Sequence, residues 1–307
     1  MADYKAIKGH TIQTVSGDPG TIVDGLIWYD SVARKVQGSK TAAGSWATGE
    51  ALPAVMVKNA GAGIQTAAIV FGGLDADGVA DESYTYDGTD WTDIGAMTNN
   101  RQMLGGCGTS TAALGAGGYP VPARGADTEE WNGSAWTETA NLGTSRYGCH
   151  SAGTQTAALC ITGHTYPGSE TADVEQYDGS SWSQIADVNT SRRQHAAAGT
   201  STAALAIGGN NGGSVSDAVE SWNGTAWTET HEINTARDAL GGDGTSTLAL
   251  VWGGTSPARD ETEVYDGSSW TESGDLNSGR WGTSGGGTTS SAVTAGGFVL
   301  PGNTAST

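Results

Sequence analysis

Short apolar runs separated by glycine-rich polar turns fill most of the chain, and one stretch shows the pattern clearly. Residues 192–202 (RRQHAAAGTST) read as a strand ending in a turn, and 202–209 (TAALAIGG) as a second, almost wholly apolar strand. Residues 210–217 (NNGGSVSD) read as a loop, 218–224 (AVESWNG) as a third strand and 225–230 (TAWTET) as a fourth. Turns such as GTST, DGSS and NGTA are short and rich in glycine, aspartate and asparagine, as tight hairpins require. No 3.6-residue apolar period survives so many glycines, so helices are excluded. The unit is four antiparallel strands.

The unit recurs. Double glycines end at Gly73, Gly118, Gly163, Gly209, Gly254 and Gly297, with spacings of 45, 45, 46, 45 and 43 residues; at the third, Thr162 stands in the first place of the pair. Tryptophans at Trp46, Trp91, Trp136, Trp182, Trp227 and Trp270 repeat with the same five spacings. Two independent markers in one register define a repeat of about 45 residues. Four antiparallel strands per repeat make a blade, and radial repetition of blades makes a β-propeller. The double glycine followed by VEQYDG (174–179) and Trp182 resembles the kelch repeat. That resemblance covers roughly residues 34–307 and implies an all-β, kelch-like propeller.

The markers also predict how the ring closes. Trp46 precedes every double glycine, and the last double glycine follows every marker tryptophan. The expectation is therefore six blades. The closing blade takes its inner strands from the C-terminus and its outer strands from RKVQG (34–38) and GSWAT (44–48). Closure of this kind removes open sheet edges.

A second comparison between repeats concerns charge. Arg101, Arg146, Arg192, Arg237 and Arg280 stand seven residues before the turn glycine of each first hairpin, where the first repeat has Met56. Glu129, Glu175, Glu220 and Glu263 stand in the third strands, where the first repeat has Tyr84. Arginine and glutamate are lost together in one blade, so they are expected to be structural ion pairs, with Gln37 facing Arg280. A ring of anion-binding arginines is the alternative, but a buried arginine needs such carboxylates in any case.

The second-to-third loops differ from blade to blade, whereas the hairpin turns at the other end are monotonous. Varied loops mark a candidate recognition surface. Tyr119, Arg124, His164, Tyr166, Asn210, Asn211 and Arg259 are its candidate binding residues. Drifted solvent loops would give the same variety.

Composition narrows the function classes. The 307 residues include 49 glycines, 11 tryptophans and 2 phenylalanines, and carry a formal charge of −19. That charge argues against nucleic acid and anionic membranes as partners, and no run is long and apolar enough to span a bilayer. Cys107, Cys149 and Cys160 match no zinc spacing and read as small buried thiols. Asn132, Asn189 and Asn223 lie in glycosylation sequons but, with no secretory signal at the start, read as turn residues. Some kelch-like propellers are copper oxidases, which need tyrosine and histidine ligands. Here His150 and His195 fall out of register by one and are not equivalent ligands. The run DADG (75–78), with Asp81 and Glu82, offers the oxygens of a calcium loop, and a short acidic turn accounts for it equally. No carboxylate pair or catalytic set emerges, and no cofactor or metal is expected.

Residues 1–33 do not belong to the repeat. The run DGLIWYDSVARKVQG (24–38) resembles the openings of structural proteins of tailed bacteriophages. It implies a virion component of tail, fibre or capsid surface, not an enzyme. Residues 1–33 would then dock to other virion proteins through Ile12, Trp28 and Tyr29, and residues 34–307 would form the propeller, displayed for assembly or host-glycan binding; Trp28 and Tyr29 as an extra strand on the closing blade is an equal alternative. Particle symmetry would supply any oligomer. The alternative is a free carbohydrate-binding or copper-oxidase-like enzyme.

Overall fold

The computed structural model describes residues 13–15, 27–30, 35–38, 44–120, 125–255, 257–299 and 302–303. The chain divides into two compact units, Met1–Gly44 and Ser45–Thr307. In the first, Gln13–Val15 pairs in parallel with Ile27–Asp30, which pairs antiparallel with Lys35–Gly38.

The second unit is an all-β propeller. Five blades are complete. In blade 1 the strands are Ala60–Ile64, Ala67–Leu74, Val79–Tyr86 and Trp91–Ala96, each paired antiparallel with the next. Blades 2 to 5 repeat this order and begin at Gly105–Thr109, His150–Thr154, Ala196–Thr200 and Gly241–Gly244. A sixth position holds the hairpin Ser284–Thr288 and Ser291–Ala295. The six first strands abut in turn around the axis, and the sixth closes on the first. Their residues are mostly glycine, alanine and serine because neighbours come so close: a Cβ on Gly106 would lie 2.9 Å from the Ala60 Cβ.

Each marker now has a physical reason. The second glycine of every pair lies at positive φ, from 90° at Gly297 to 121° at Gly163. Its N–H donates to the carbonyl of the marker arginine in the next blade, as Gly118 does to Arg146 at 2.9 Å and Gly254 to Arg280 at 2.8 Å. A Cβ on the first glycine would collide with that same carbonyl, 2.6 Å away at Gly72 and 2.5 Å at Gly253. The last pair closes the ring: Gly297 N–H donates to the Met56 carbonyl at 2.9 Å. Thr162 takes the left-handed conformation at φ 51° despite its branched side chain, and its hydroxyl meets His195 Nδ1 at 3.1 Å.

The second marker fills the seams between blades. Trp136 Nε1 donates to the Ser83 hydroxyl of the preceding blade at 3.0 Å, and Trp182 Nε1 to Thr128 at 3.1 Å. Around them lie buried clusters spanning two blades, such as Ile69, Phe71, Leu104, Trp131 and Trp136.

The outer half of the closing blade differs from the sequence expectation. Lys35–Gly38 is hydrogen-bonded to Ile27–Asp30 in the N-terminal sheet, and residues 44–50 carry no regular structure. Among the described residues, Ser291–Ala295 pairs only with its hairpin partner. Loop closure explains the preference, since a hairpin to residues 27–30 needs only a short connection. Trp46 nevertheless takes the place of a fourth-strand tryptophan. Its Nε1 donates to Thr262 of blade 5 at 3.0 Å, matching Trp136 on Ser83, and its ring lies 5.8 Å from Trp252.

Candidate functional site: the rim of the axial mouth

Six residues with spacings of 45, 45, 46, 45 and 43 form a ring at one end of the axis: Lys58, Met103, Gly148, Gln194, Ala239 and Gly282. All six have left-handed φ, between 51° and 66°. Each N–H donates to the carbonyl of the equivalent residue in the preceding blade. The circle runs from Lys58 to Gly282, Ala239, Gln194, Gly148, Met103 and back to Lys58, with every bond 2.7 or 2.8 Å. This closed circle frames a cavity of about 40 Å³. A second cavity of about 80 Å³ runs on between the first strands and shares Asn59, Leu104, His150 and Thr283 with it.

One residue before each ring member, the chain bridges to the residue just after the double glycine. The pairs are Val57 with Leu74, Gln102 with Tyr119, Tyr147 with His164, Arg193 with Asn210, Asp238 with Thr255, and Trp281 with Phe298. Twelve side chains thus stand around the mouth, two per blade, on the face of the varied loops.

Neighbouring pairs on the rim are linked. Tyr119 meets Tyr147 edge-on, with centroids 5.9 Å apart, and Tyr147 lies 5.1 Å from the His164 ring. Arg193 Nη1 lies 3.4 Å from His164 Nδ1 and 3.4 Å from Glu170 Oε1. Burial alone would raise the Glu170 carboxyl, but a backbone N–H, His164 and Arg193 outweigh it and hold it below the usual range. Asn210 Nδ2 donates to Asp238 Oδ2 at 3.1 Å, and the Thr255 hydroxyl donates to Asp238 Oδ1. In the sixth position, which abuts blade 5 on one side and blade 1 on the other, Trp281 and Phe298 stack at 4.3 Å, with Lys58 Nζ 5.9 and 5.8 Å from the two ring centroids. Aromatic pairs at blades 2 and 3 and at the sixth position thus flank a run of hydrogen-bonded polar groups over blades 3 to 5.

The sequence candidates distribute as follows. Tyr119, His164 and Asn210 stand on the rim. Tyr166 is exposed in the adjoining turn. Asn211 caps its own turn, accepting from Gly213 and Ser214. Arg259 Nη1 donates to Glu261 Oε1 at 2.9 Å, away from the rim chain. Arg124 and Ile12 lie outside the described residues, and the side chains of Trp28, Tyr29 and Gln37 do as well. The rim residues not singled out from sequence include Tyr147, Arg193, Asp238 and Trp281. Each directly follows a marker arginine, a position that repeat register alone picks out.

The marker arginines lie inside the blades. Arg101 Nη2 meets Glu129 Oε1 at 3.0 Å, Arg146 meets Glu175 at 2.5 Å, Arg237 meets Glu263 at 2.6 Å, and Arg192 pairs with Glu220. The second carboxylate oxygen accepts a backbone N–H, from Thr98 at 2.6 Å in blade 2 and from Asn234 at 2.7 Å in blade 5. Arg280 Nη1 donates to the Gly296 carbonyl at 3.0 Å. In blade 1, Met56 and Tyr84 fill the equivalent space within one buried apolar cluster.

Two other groups are tuned. Asp243, on the first strand of blade 5, accepts N–H groups from Gly244 and Gly287, each at 2.7 Å, and burial raises it to about 6. Burial lowers His150 to about 4; its ring lies 5.4 Å from that of His195. The acidic run near Asp75 is an Asx turn, its carboxylate accepting from Asp77 and Gly78 at 2.8 Å.

No protein-family model matches the chain, and none of the curated proteins does. Among solved structures, one described as "Structure of YjhT" superposes with a TM-score of 0.70 at 13% identity, over 83% of this chain and 94% of that chain. At that identity the likeness is one of fold: the chain is a β-propeller. With 299 solved chains matching, the fold by itself selects no function.

Proposed function

We propose that this chain is a non-enzymatic structural protein of a bacteriophage virion, a tail, fibre or capsid-surface component that presents a kelch-type propeller to the host surface. The observation that carries this reading is the run 24–38, which resembles phage structural proteins. Its pieces Ile27–Asp30 and Lys35–Gly38 pair as strands within a compact unit of their own. A separate sheet suits docking to neighbouring virion proteins. The propeller supplies rigid display: its inner ring is uniform from blade to blade, while the rim and loops vary. The net charge of −19 favours neither nucleic acid nor anionic lipid as the surface bound.

The reading is tested on purified particles. The protein should co-sediment with them, and deleting residues 1–24 should release it while the propeller melts unchanged. Absence of the full chain from particles contradicts the proposal.

A further inference from the structure

We propose that the rim of the axial mouth is a saccharide-binding site that takes one neutral sugar ring. This rests on the reading of the loop face as host-facing and names the ligand class it would bind. Three observations carry it.

The first is where the exposed large apolar side chains fall. Among the described residues these are Ile64, Tyr119, Tyr166 and Leu248. The two aliphatic ones sit beside the hairpin turns of the opposite face. Both aromatic ones sit on the loop face of adjacent blades, and Tyr119 is on the rim itself, 43% exposed. Tyrosine offers an apolar ring and a polar tip, which suits a ligand that is itself two-faced. A pyranose presents C–H groups on one face and hydroxyls around its edge.

The second is the division of the rim. Aromatic rings at Tyr119 and Tyr147 on one side, and at Trp281 and Phe298 on the other, flank the polar groups Arg193, Asn210 and Asp238 of blades 4 and 5 around the mouth. Binding sites for small molecules combine apolar walls with a few convergent polar groups in this way. The polar groups hold one another through the bonds already described and are fixed before a ligand arrives, which lowers the ordering cost of binding.

The third is size and charge. The mouth is ringed by hydrogen-bonded backbone, and its cavity of about 40 Å³ admits a substituent, not a side-chain cluster. A stable protein interface needs roughly 800 Å² per partner with an apolar core, which two isolated tyrosines do not supply. The charge of −19 disfavours an acidic sugar, so the class is neutral.

Trp281 on the rim supplies a reporter. The full-length protein would be titrated with glucose, galactose, mannose and N-acetylglucosamine, read by tryptophan fluorescence and by saturation-transfer NMR. At least one sugar should bind saturably. Tyr119→Ala and Asn210→Ala should each weaken it tenfold or more, and Ile64→Ser and Leu248→Ser should leave it unchanged. Melting curves identify any variant that has lost its fold, and two independent rim variants keep the test usable if one has. Failure of all four sugars to bind the wild type overturns the proposal, as does equal binding by both rim variants. Neither outcome bears on co-sedimentation with particles, so the site and the virion reading fail separately.

Discussion

The indole nitrogen of Trp46 donates to the hydroxyl of Thr262, 216 residues later, at 3.0 Å. The same bond joins Trp136 to Ser83 and Trp182 to Thr128, so the start of the propeller is fastened to blade 5 as a sixth-blade tryptophan would be. Trp46→Phe should keep much of the ring contact with Trp252 and lower stability by about 1 kcal/mol, the usual worth of one such bond. Thr262→Val should cost a similar amount. It is a mild change, since Val174 and Val219 hold the equivalent places in blades 3 and 4. Urea unfolding of the two singles and the double tests the link: the double should cost little more than either single, and full additivity would contradict it.

The buried arginine–glutamate pairs give a second test. Arg192→Met leaves Glu220 charged and buried, which should cost about 3–5 kcal/mol. Adding Glu220→Tyr reproduces the Met56 and Tyr84 arrangement of blade 1 and should recover most of the loss. Thermal melts of the three variants check this. A double variant no better than Arg192→Met would show that blade 4 does not accept the blade 1 solution.

These pairs were legible in the sequence because four repeats keep them and one loses both members. The double glycines were legible because the bond they make recurs at every junction, and the seam tryptophans because their register is constant, although the indole-to-hydroxyl bond forms only at Trp46, Trp136 and Trp182. The rim was half legible. Tyr119, His164 and Asn210 follow double glycines inside evidently varied loops, but Tyr147, Arg193, Asp238 and Trp281 sit one step past a marker arginine and share no residue type from blade to blade. The pairing of residues 35–38 was not legible, because a four-residue strand can pair at either edge and its sequence does not say with what. Trp46 shows the opposite case, a side chain whose place in the repeat holds without the expected strand.

Stability should depend on pH through Asp243 and His150 in opposite senses. Asp243 has a folded pKa of about 6, above its ordinary 3.8. Its contribution is fully present below about pH 4 and is lost as pH rises through 6. His150 is depressed from 6.5 to about 4. Its contribution is present above pH 6.5 and is lost as pH falls through 4. Between pH 4 and 6 the two partly cancel, so Asp243→Asn should make the acid-side fall in melting temperature steeper. Melting curves at half-unit intervals from pH 4 to 7 check this; an unchanged slope would contradict the buried, proton-binding state of Asp243.

The ring closes six-fold, with the C-terminal hairpin fastened to the start of blade 1. The most direct measurement of that closure is amide hydrogen exchange of Lys58, whose N–H reaches the Gly282 carbonyl at 2.7 Å across the closing junction. In the full chain Lys58 should be as protected as Met103, Gly148, Gln194 and Ala239. In a chain ending before Ser290, that protection should collapse and the melting temperature should fall. A Lys58 amide that exchanges at the rate of an open loop in the full chain, or is equally protected in the truncated one, would contradict the closure.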